Sequence, residues 1–139
     1  MATVLFLCTH NAARSQMAEA LANHFFAGVL QASSAGSKPG TLNPNAIEAM
    51  RELGIDISRQ VPKSLESFRG RHFDIVVTLC DDAAAACPFF PGGTVLHHAF
   101  ADPSRAEDGL TTARIVRDEL LRYLEEEIAP IVVRSAHEQ

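Results

Sequence analysis

The octet Cys8-Thr9-His10-Asn11-Ala12-Ala13-Arg14-Ser15 puts a thiol, a guanidinium and a hydroxyl into one stretch of the form C-x5-R-S. It follows an apolar run, Thr3 to Leu7, and precedes a segment, Ser15 to Phe26, in which Met17, Ala20, Leu21 and Phe25 recur at helical spacing. A strand-to-helix turn of this kind offers unpaired backbone N–H groups and the positive end of a helix dipole, which together attract anions. A cysteine held there is favoured as the thiolate by that dipole and by the Arg14 guanidinium. Arg14 also presents paired donors to two oxygens of a tetrahedral oxyanion. Ser15 can give its hydroxyl proton to the sulfur or cap the helix. Asn11 is one of the few non-glycine residue types that enters the left-handed region at modest cost, which would turn successive N–H groups inward as a nest. The chemistry these residues suit is nucleophilic attack by Cys8 on a phosphate-like oxyanion cradled by Thr9, His10, Asn11, Ala12, Ala13, Arg14 and Ser15.

Such a site needs a rigid frame. Thr3 to Leu7 lacks alternation, as expected of a strand buried on both faces of a parallel sheet. Val29 to Ala35, Phe73 to Leu79 and Thr94 to Phe100 read as three further strands. Helices are expected over Ser15 to Phe26, from Asn43-Pro44 through Ala46, Ile47, Met50 and Leu53 to the stop at Gly54, and from after Ala101-Asp102-Pro103-Ser104 through Ile115, Val116, Leu120, Leu121, Leu124 and Ile128. Cys80 to Gly93, with Pro88, Pro91 and paired glycines, reads as an irregular stretch, and Arg134 to Gln139 as a frayed tail. The alternation predicts one α/β domain over residues 1–139: three layers, a four-stranded mostly parallel sheet flanked by helices. Sites in such sheets lie outside the carboxyl ends of the strands, and Cys8, Cys80 and Asp102 all fall at or just past a strand end.

Composition narrows the possibilities. With 139 residues, 47% of them hydrophobic and 21% charged, the chain can bury a core without disulfide or metal staples. A formal net charge of -5 argues against nucleic-acid binding through bulk electrostatics. No apolar run approaches the ~20 residues of a membrane span, so no membrane partner is expected. The opening MATVLFLC has neither a basic n-region nor a small-residue cleavage site, which makes the cytosol (a cytoplasmic location) the expected compartment. Three cysteines make a poor disulfide framework there, so Cys8, Cys80 and Cys87 are buried hydrophobes, metal ligands or chemistry. No CxxC pair or compact spacing with His97 or His98 supports zinc, and no metal is expected.

The stretch CTHNAARSQMAEA between strand and helix resembles the active-site loop of the low-molecular-weight protein tyrosine phosphatase family. Its Arg-Ser-Gln-Met-Ala-Glu continuation is similar to the arsenate reductase branch, whereas the phosphatase branch favours a proline after the serine. The resemblance resumes at SSAGSKPGTLNPNAIEAMRELGIDIS, VTLCDDAAAACPFFPG and HHAFADPS, and so covers nearly the whole chain. It implies Cys8 as nucleophile, Arg14 as oxyanion clamp, Asn11 and Ser15 as loop-ordering residues, and Asp102 as general acid. Independently, a carboxylic acid at Asp102 would ease departure of an oxygen leaving group, with Pro103 stiffening its backbone.

The resemblance also gives the second and third cysteines work. The Cys80-x6-Cys87 spacing is similar to that of thioredoxin-coupled arsenate reductases, which implies a relay. Cys8 takes up arsenate, Cys80 attacks the Cys8 sulfur and releases arsenite, Cys87 then attacks Cys80, and thioredoxin reduces the resulting disulfide. The implied substrate is the arsenate oxyanion, the reductant is external thioredoxin with no bound cofactor, and the protein is expected to act as a monomer. Two alternatives stay open. A phosphatase of this fold needs neither Cys80 nor Cys87 and wants an aromatic pocket, yet the chain has no Trp and a single tyrosine, Tyr123, far along the sequence. A non-enzymatic oxyanion-binding redox sensor would form disulfides without turnover.

Some relatives hold potassium behind the anion loop, and Asn11, Glu19 and Ser34 resemble part of that arrangement. Lys63 stands where those relatives carry an acidic residue, so its ammonium is expected to pair with Glu19 in the cation's place. His10 occupies a position where glycine is frequent, and is expected to add charge or shape the entrance. His97 and His98 read as packing or surface residues on opposite strand faces. Phe89 and Phe90 read as core anchors or a thioredoxin docking patch, and Glu125-Glu126-Glu127 as a solvated face.

Overall fold

The computed structural model describes residues 1–87 and 93–137. The chain runs β1 (Ala2–Cys8), α1 (Arg14–Phe25), β2 (Leu30–Gly36), α2 (Pro44–Arg51), β3 (Ile75–Thr78), α3 (Asp81–Ala86), β4 (Thr94–His97) and α4 (Gly109–Tyr123). A π-helical turn (Leu124–Ile128) then leads into α5 (Ala129–His137). Four strands pair in the order β2-β1-β3-β4, and every pairing is parallel, where the sequence predicts only a mostly parallel sheet.

β1 lies at the centre because its side chains tolerate no water: Val4, Leu5 and Phe6 are 0% exposed. Continuous apolar character suits a strand covered on both faces. The chain passes from β1 to β2 on one side and later to β3 on the other, so the strand order reverses between β1 and β3. A crevice opens at the carboxyl ends of such a pair. Cys8 ends β1, and Cys80 lies two residues beyond the end of β3, with the Leu79 amide donating to the Leu7 carbonyl at 2.8 Å between the two strand ends.

Cys80 to Ala86 is not irregular, as its sequence suggests, but enters and forms α3. Asp81 and Asp82 sit in the first turn, where negative charge is favoured, and four successive alanines follow, the best helix formers. The Cys80 sulfur itself caps the helix, accepting from the Ala83 amide at 3.3 Å. The expected readings of Phe89 and Phe90 lie outside the described residues. β4 ends at His97 rather than Phe100, because its neighbour β3 has by then turned away into α3.

The expected frayed tail is helical as far as His137, with Ile131 and Val132 packed against the core. Pro130 is accommodated just past the π turn: proline cannot donate back to the preceding turn and crowds its carbonyl, and a wider turn relieves both.

The loop between β1 and α1 is pressed against the end of β2. A Cβ on Gly36 would lie 2.6 Å from the Thr9 carbonyl oxygen and 2.8 Å from the Asn11 nitrogen, both backbone atoms. The absence of a side chain there is what lets the loop fold back over the sheet. Gly36→Ala is expected to destabilise the protein by about 1–3 kcal/mol in urea unfolding, as overpacking does. Wild-type stability in that variant would show the loop to be free to shift.

Candidate functional site

The orientation of the loop's peptide units creates the cradle. The carbonyls of Thr9, His10 and Ala12 turn outward to accept from the amides of Lys38, Gly40 and Asn43 at 2.8, 2.9 and 2.8 Å. A trans peptide carries its N–H opposite its C=O, so the amides of His10, Asn11 and Ala13 face the other way. Among the described residues these amides have no backbone acceptor, and the first-turn amides of α1 join them. The turn requires a left-handed residue at Asn11, whose φ is 51°.

Asn11 is fully buried and its side chain fixes both the loop and the Ser15 hydroxyl oxygen. Its Oδ1 accepts from the Lys63 amide at 2.8 Å, which settles the orientation of the side-chain amide. Gln16 Nε2 donates to the same oxygen at 3.0 Å. Nδ2 therefore donates to Ser15 Oγ at 2.7 Å and to Ser34 Oγ at 2.9 Å. Ser15 Oγ also lies 2.8 Å from the Cys8 sulfur, and because a thiolate only accepts, the Ser15 hydroxyl is the donor whenever Cys8 is ionised. Of the two roles open to Ser15, the structure excludes the helix cap: the N-cap position of α1 is Ala13, with no side-chain cap bond.

Arg14 reaches across to the segment after β4. Its Nη1 donates to the Phe100 carbonyl at 3.2 Å, and Nη2 lies 3.5 Å from Asp102 Oδ2. Asp102 Oδ1 accepts from the Ser104 amide and hydroxyl at 3.0 and 2.7 Å, and Arg105 Nε is 3.8 Å from Oδ2. Burial works against charge on Asp102, but the Ser104 hydrogen bonds and the Arg14 and Arg105 guanidinia outweigh it and hold the carboxyl below its ordinary value. A cavity of about 260 Å³ lies between these groups, lined by Thr9, His10, Arg14, Cys80, Asp81, Asp82, Asp102 and Arg105. His10 Nδ1–H donates to the Lys38 carbonyl at 2.9 Å, which anchors the ring against Gly40 at the cavity wall. A larger cavity, about 460 Å³, lies over β4 and α4 beside Tyr123, but it has no thiol and no anion-binding loop.

All three cysteines are thiols; Cys8 and Cys80 are buried and Cys87 is half-buried. The Cys80 sulfur is 3.3 Å from Thr9 Oγ1, so the residue that follows Cys8 touches the second sulfur. Cys87 stands at the C-cap of α3, and burial pushes its thiol up.

Behind the loop, Ser34 donates to Glu19 at 3.1 Å and the Lys63 ammonium lies 3.8 Å from the same carboxylate oxygen. The pairing expected from sequence is present. A monovalent cation here would have to share Glu19 with an ammonium, so these residues do not fit a metal site. Burial pushes the Glu19 carboxyl above its ordinary value, against the pull of Lys63 and the Ser34 hydrogen bonds.

Sequence reading misses the Phe100 carbonyl, the Thr9–Cys80 contact and the Gln60 side chain, which donates to Gln16 Oε1 at 2.6 Å. A carbonyl has no sequence signature, and the glutamines carry no chemistry of their own. His97 and His98 do diverge: His97 bonds Thr78 and Asp81, while His98 stacks on Phe100 at 4.4 Å and tilts against Tyr123 at 4.9 Å.

Residues 3–101 match the family model described as low molecular weight phosphotyrosine protein phosphatase. The arsenate reductase of Bacillus subtilis is 43% identical over 128 residues, covering 88% of this chain and 92% of that protein. A solved arsenate reductase in the phosphate binding state superposes with a TM-score of 0.82 at 30% identity, covering 96% of this chain and 98% of that one. A thioredoxin-dependent arsenate reductase of Corynebacterium glutamicum superposes with a TM-score of 0.70 at 30% identity, covering 90% of this chain and 61% of that one.

Ser15→Ala, in a background with Cys80 and Cys87 replaced by serine, removes the hydrogen bond between Ser15 and the Cys8 sulfur, worth about 0.5–1.5 kcal/mol. Alkylation of Cys8 by iodoacetamide is expected to change by about two- to tenfold, and an unchanged rate would show that the Ser15 contact does not act on the sulfur.

The folded protein binds a proton at Glu19 more tightly than the unfolded chain does. This carboxyl's contribution to stability is therefore complete below the ordinary value of 4.5 and is lost as pH rises through the raised folded value. Lys63→Met removes the ammonium that offsets part of that loss. Its destabilisation in urea is expected to be larger at pH 7 than at pH 4 by about 0.5–1 kcal/mol. Equal costs at both pH values would disprove the coupling.

Proposed function

The chain belongs to the low molecular weight phosphotyrosine protein phosphatase family, and from that membership and the site's three thiols we propose that it reduces arsenate to arsenite through a relay recycled by thioredoxin. One observation carries the reading. The sulfur of Cys80 lies at the wall of the oxyanion cavity, in contact with the loop that begins at Cys8. A phosphatase has no use for a second thiol at that point.

The Cys8 thiolate attacks the arsenic of the dihydrogen arsenate monoanion, and protonated Asp102 gives its proton to the departing hydroxyl. An S–As bond forms and an As–O bond breaks. The products are a singly charged hydrogen arsenate ester on the Cys8 sulfur, one water and the Asp102 carboxylate. In the absence of substrate Asp102 is held ionised by Ser104, Arg14 and Arg105. A bound oxyanion is a like charge beside it and draws Arg14 away, and both effects favour the protonated form. The Cys80 thiolate then attacks the Cys8 sulfur. The S–As bond breaks, its electron pair leaves with arsenic as the hydrogen arsenite dianion, which takes up two protons, and a Cys8–Cys80 disulfide remains. Arsenic goes from the +5 to the +3 state.

Cys87 completes the transfer by attacking Cys80, which frees Cys8 as the thiolate and leaves a Cys80–Cys87 disulfide. That step demands movement. Cys80 and Cys87 cap the two ends of α3, seven residues apart. At 1.5 Å rise per residue their Cα atoms are separated by about 10 Å, whereas a disulfide needs about 7 Å or less. The helix must unwind, and its disulfide form then presents the bridge to the thioredoxin dithiol, which takes it by exchange. Thiols poised to cycle in this way belong in a reducing cytoplasm.

Arsenite release with thioredoxin and its reductase tests the relay. Cys80→Ser and Cys87→Ser are each expected to abolish sustained turnover while keeping slow hydrolysis of p-nitrophenyl phosphate, which needs only the Cys8 loop. Sustained arsenite release from either variant would refute the relay.

A further inference from the structure

We propose that His97 is a positioning residue of the relay, a clasp that holds α3 helical while Cys80 and Cys87 are thiols and releases it when they join. The proposal rests on the relay reading above. His97 is the last residue of β4 and lies in register with Thr78, the last residue of β3. Its Nδ1 is 2.8 Å from Thr78 Oγ1, and its Nε2 is 3.1 Å from Oδ1 of Asp81, the first residue of α3. Asp81 immediately follows Cys80.

The Asp81 partner fixes one ring proton. An Asp carboxylate only accepts, so Nε2 carries a proton and donates it to Asp81, while Nδ1 shares the second bond with the Thr78 hydroxyl. One imidazole thus ties the ends of two strands to the first turn of the helix that must unwind. Thr78 is buried, which fixes the ring on the sheet side. The Asp81 side chain is 91% exposed, so the bond to the helix is the one that can open.

The bond to Asp81 favours the helical segment and hence the dithiol. Stabilising the reduced form of a dithiol couple makes its disulfide more oxidising. Thioredoxin recycling then becomes more favourable, and the clasp sets how readily the relay resets.

The test isolates the couple in a Cys8→Ser background, equilibrated with dithiothreitol: the Cys80–Cys87 dithiol and cyclic oxidised dithiothreitol exchange to the protein disulfide and reduced dithiothreitol, with no net change in electrons. Mass-resolved alkylation reads the ratio. His97→Ala is expected to shift the equilibrium three- to tenfold toward the protein disulfide, which makes the potential more negative by about 14–30 mV. His97→Gln, whose side-chain N–H can replace Nε2 in the bond to Asp81, is expected to stay within about twofold of histidine. In the dithiol form, the amides of Ala84 to Cys87 are expected to exchange hydrogen faster in His97→Ala than in the parent. An unchanged equilibrium in His97→Ala, or a glutamine no better than alanine, overturns the clasp and leaves the relay standing. Failure of the Cys8→Ser parent to form the disulfide at all takes the relay down, and the clasp with it.

Discussion

A peptide unit carries its C=O and N–H on opposite sides, and the site depends on which way the units after β1 are turned. Three carbonyls of the loop are engaged by backbone amides of the segment after β2, at Lys38, Gly40 and Asn43. The N–H groups of the same peptide units have no choice but to face the opposite side of the loop. Asn11 holds that arrangement in a left-handed conformation, using a completely buried side chain that meets the loop, α1, β2 and the Lys63 amide. The same side chain donates to Ser15 Oγ and holds it against the Cys8 sulfur. Geometry and chemistry here have a single source.

The acidic net charge of the protein does not conflict with an anion site. Charge summed over the chain describes long-range steering, which salt screens beyond about 10 Å. Inside the cavity, the oriented amides and Arg14 act at contact distance. Asp102 is the local counterweight: its pairing with Arg14 at 3.5 Å keeps the guanidinium from standing alone when no oxyanion is bound. In the proposed reaction Arg14 exchanges one negative partner for another, and that exchange would favour a proton on Asp102.

The segment from Cys80 to Cys87 has two requirements that oppose each other. Capping and an alanine run favour a helix, which buries the Cys80 sulfur against Thr9 and keeps it beside the cavity. Joining the two cysteines requires the helix to be lost. Six residues of helix are short enough to be marginal on propensity alone, so tertiary contacts decide the balance. His97 makes one of those contacts, Thr9 another, and the buried Ala83 a third.

Much of this was legible in residue order. Apolar runs without alternation announced the parallel strands, C-x5-R-S announced the anion loop, and the pairing of Glu19 with Lys63 followed from a charge reversal within a resembled motif. The irregular reading of α3 failed because its prolines and glycines lie past Cys87, whereas the alanines before them form the helix. Cys8, Arg14, Ser15 and Cys80 stand out in the sequence because their side chains carry the chemistry that their spacing implies, and the structure gathers them at the ends of β1 and β3. What residue order could not contain were partners supplied by backbone: the carbonyl of Phe100 under Arg14 and the amide of Lys63 on Asn11. It also could not contain the meeting of Thr9 with Cys80 or of His97 with Asp81, because these contacts join residues that only parallel pairing of β1 with β3 and of β3 with β4 brings together. Local sequence determines which groups can react, whereas the register between strands decides which of them touch.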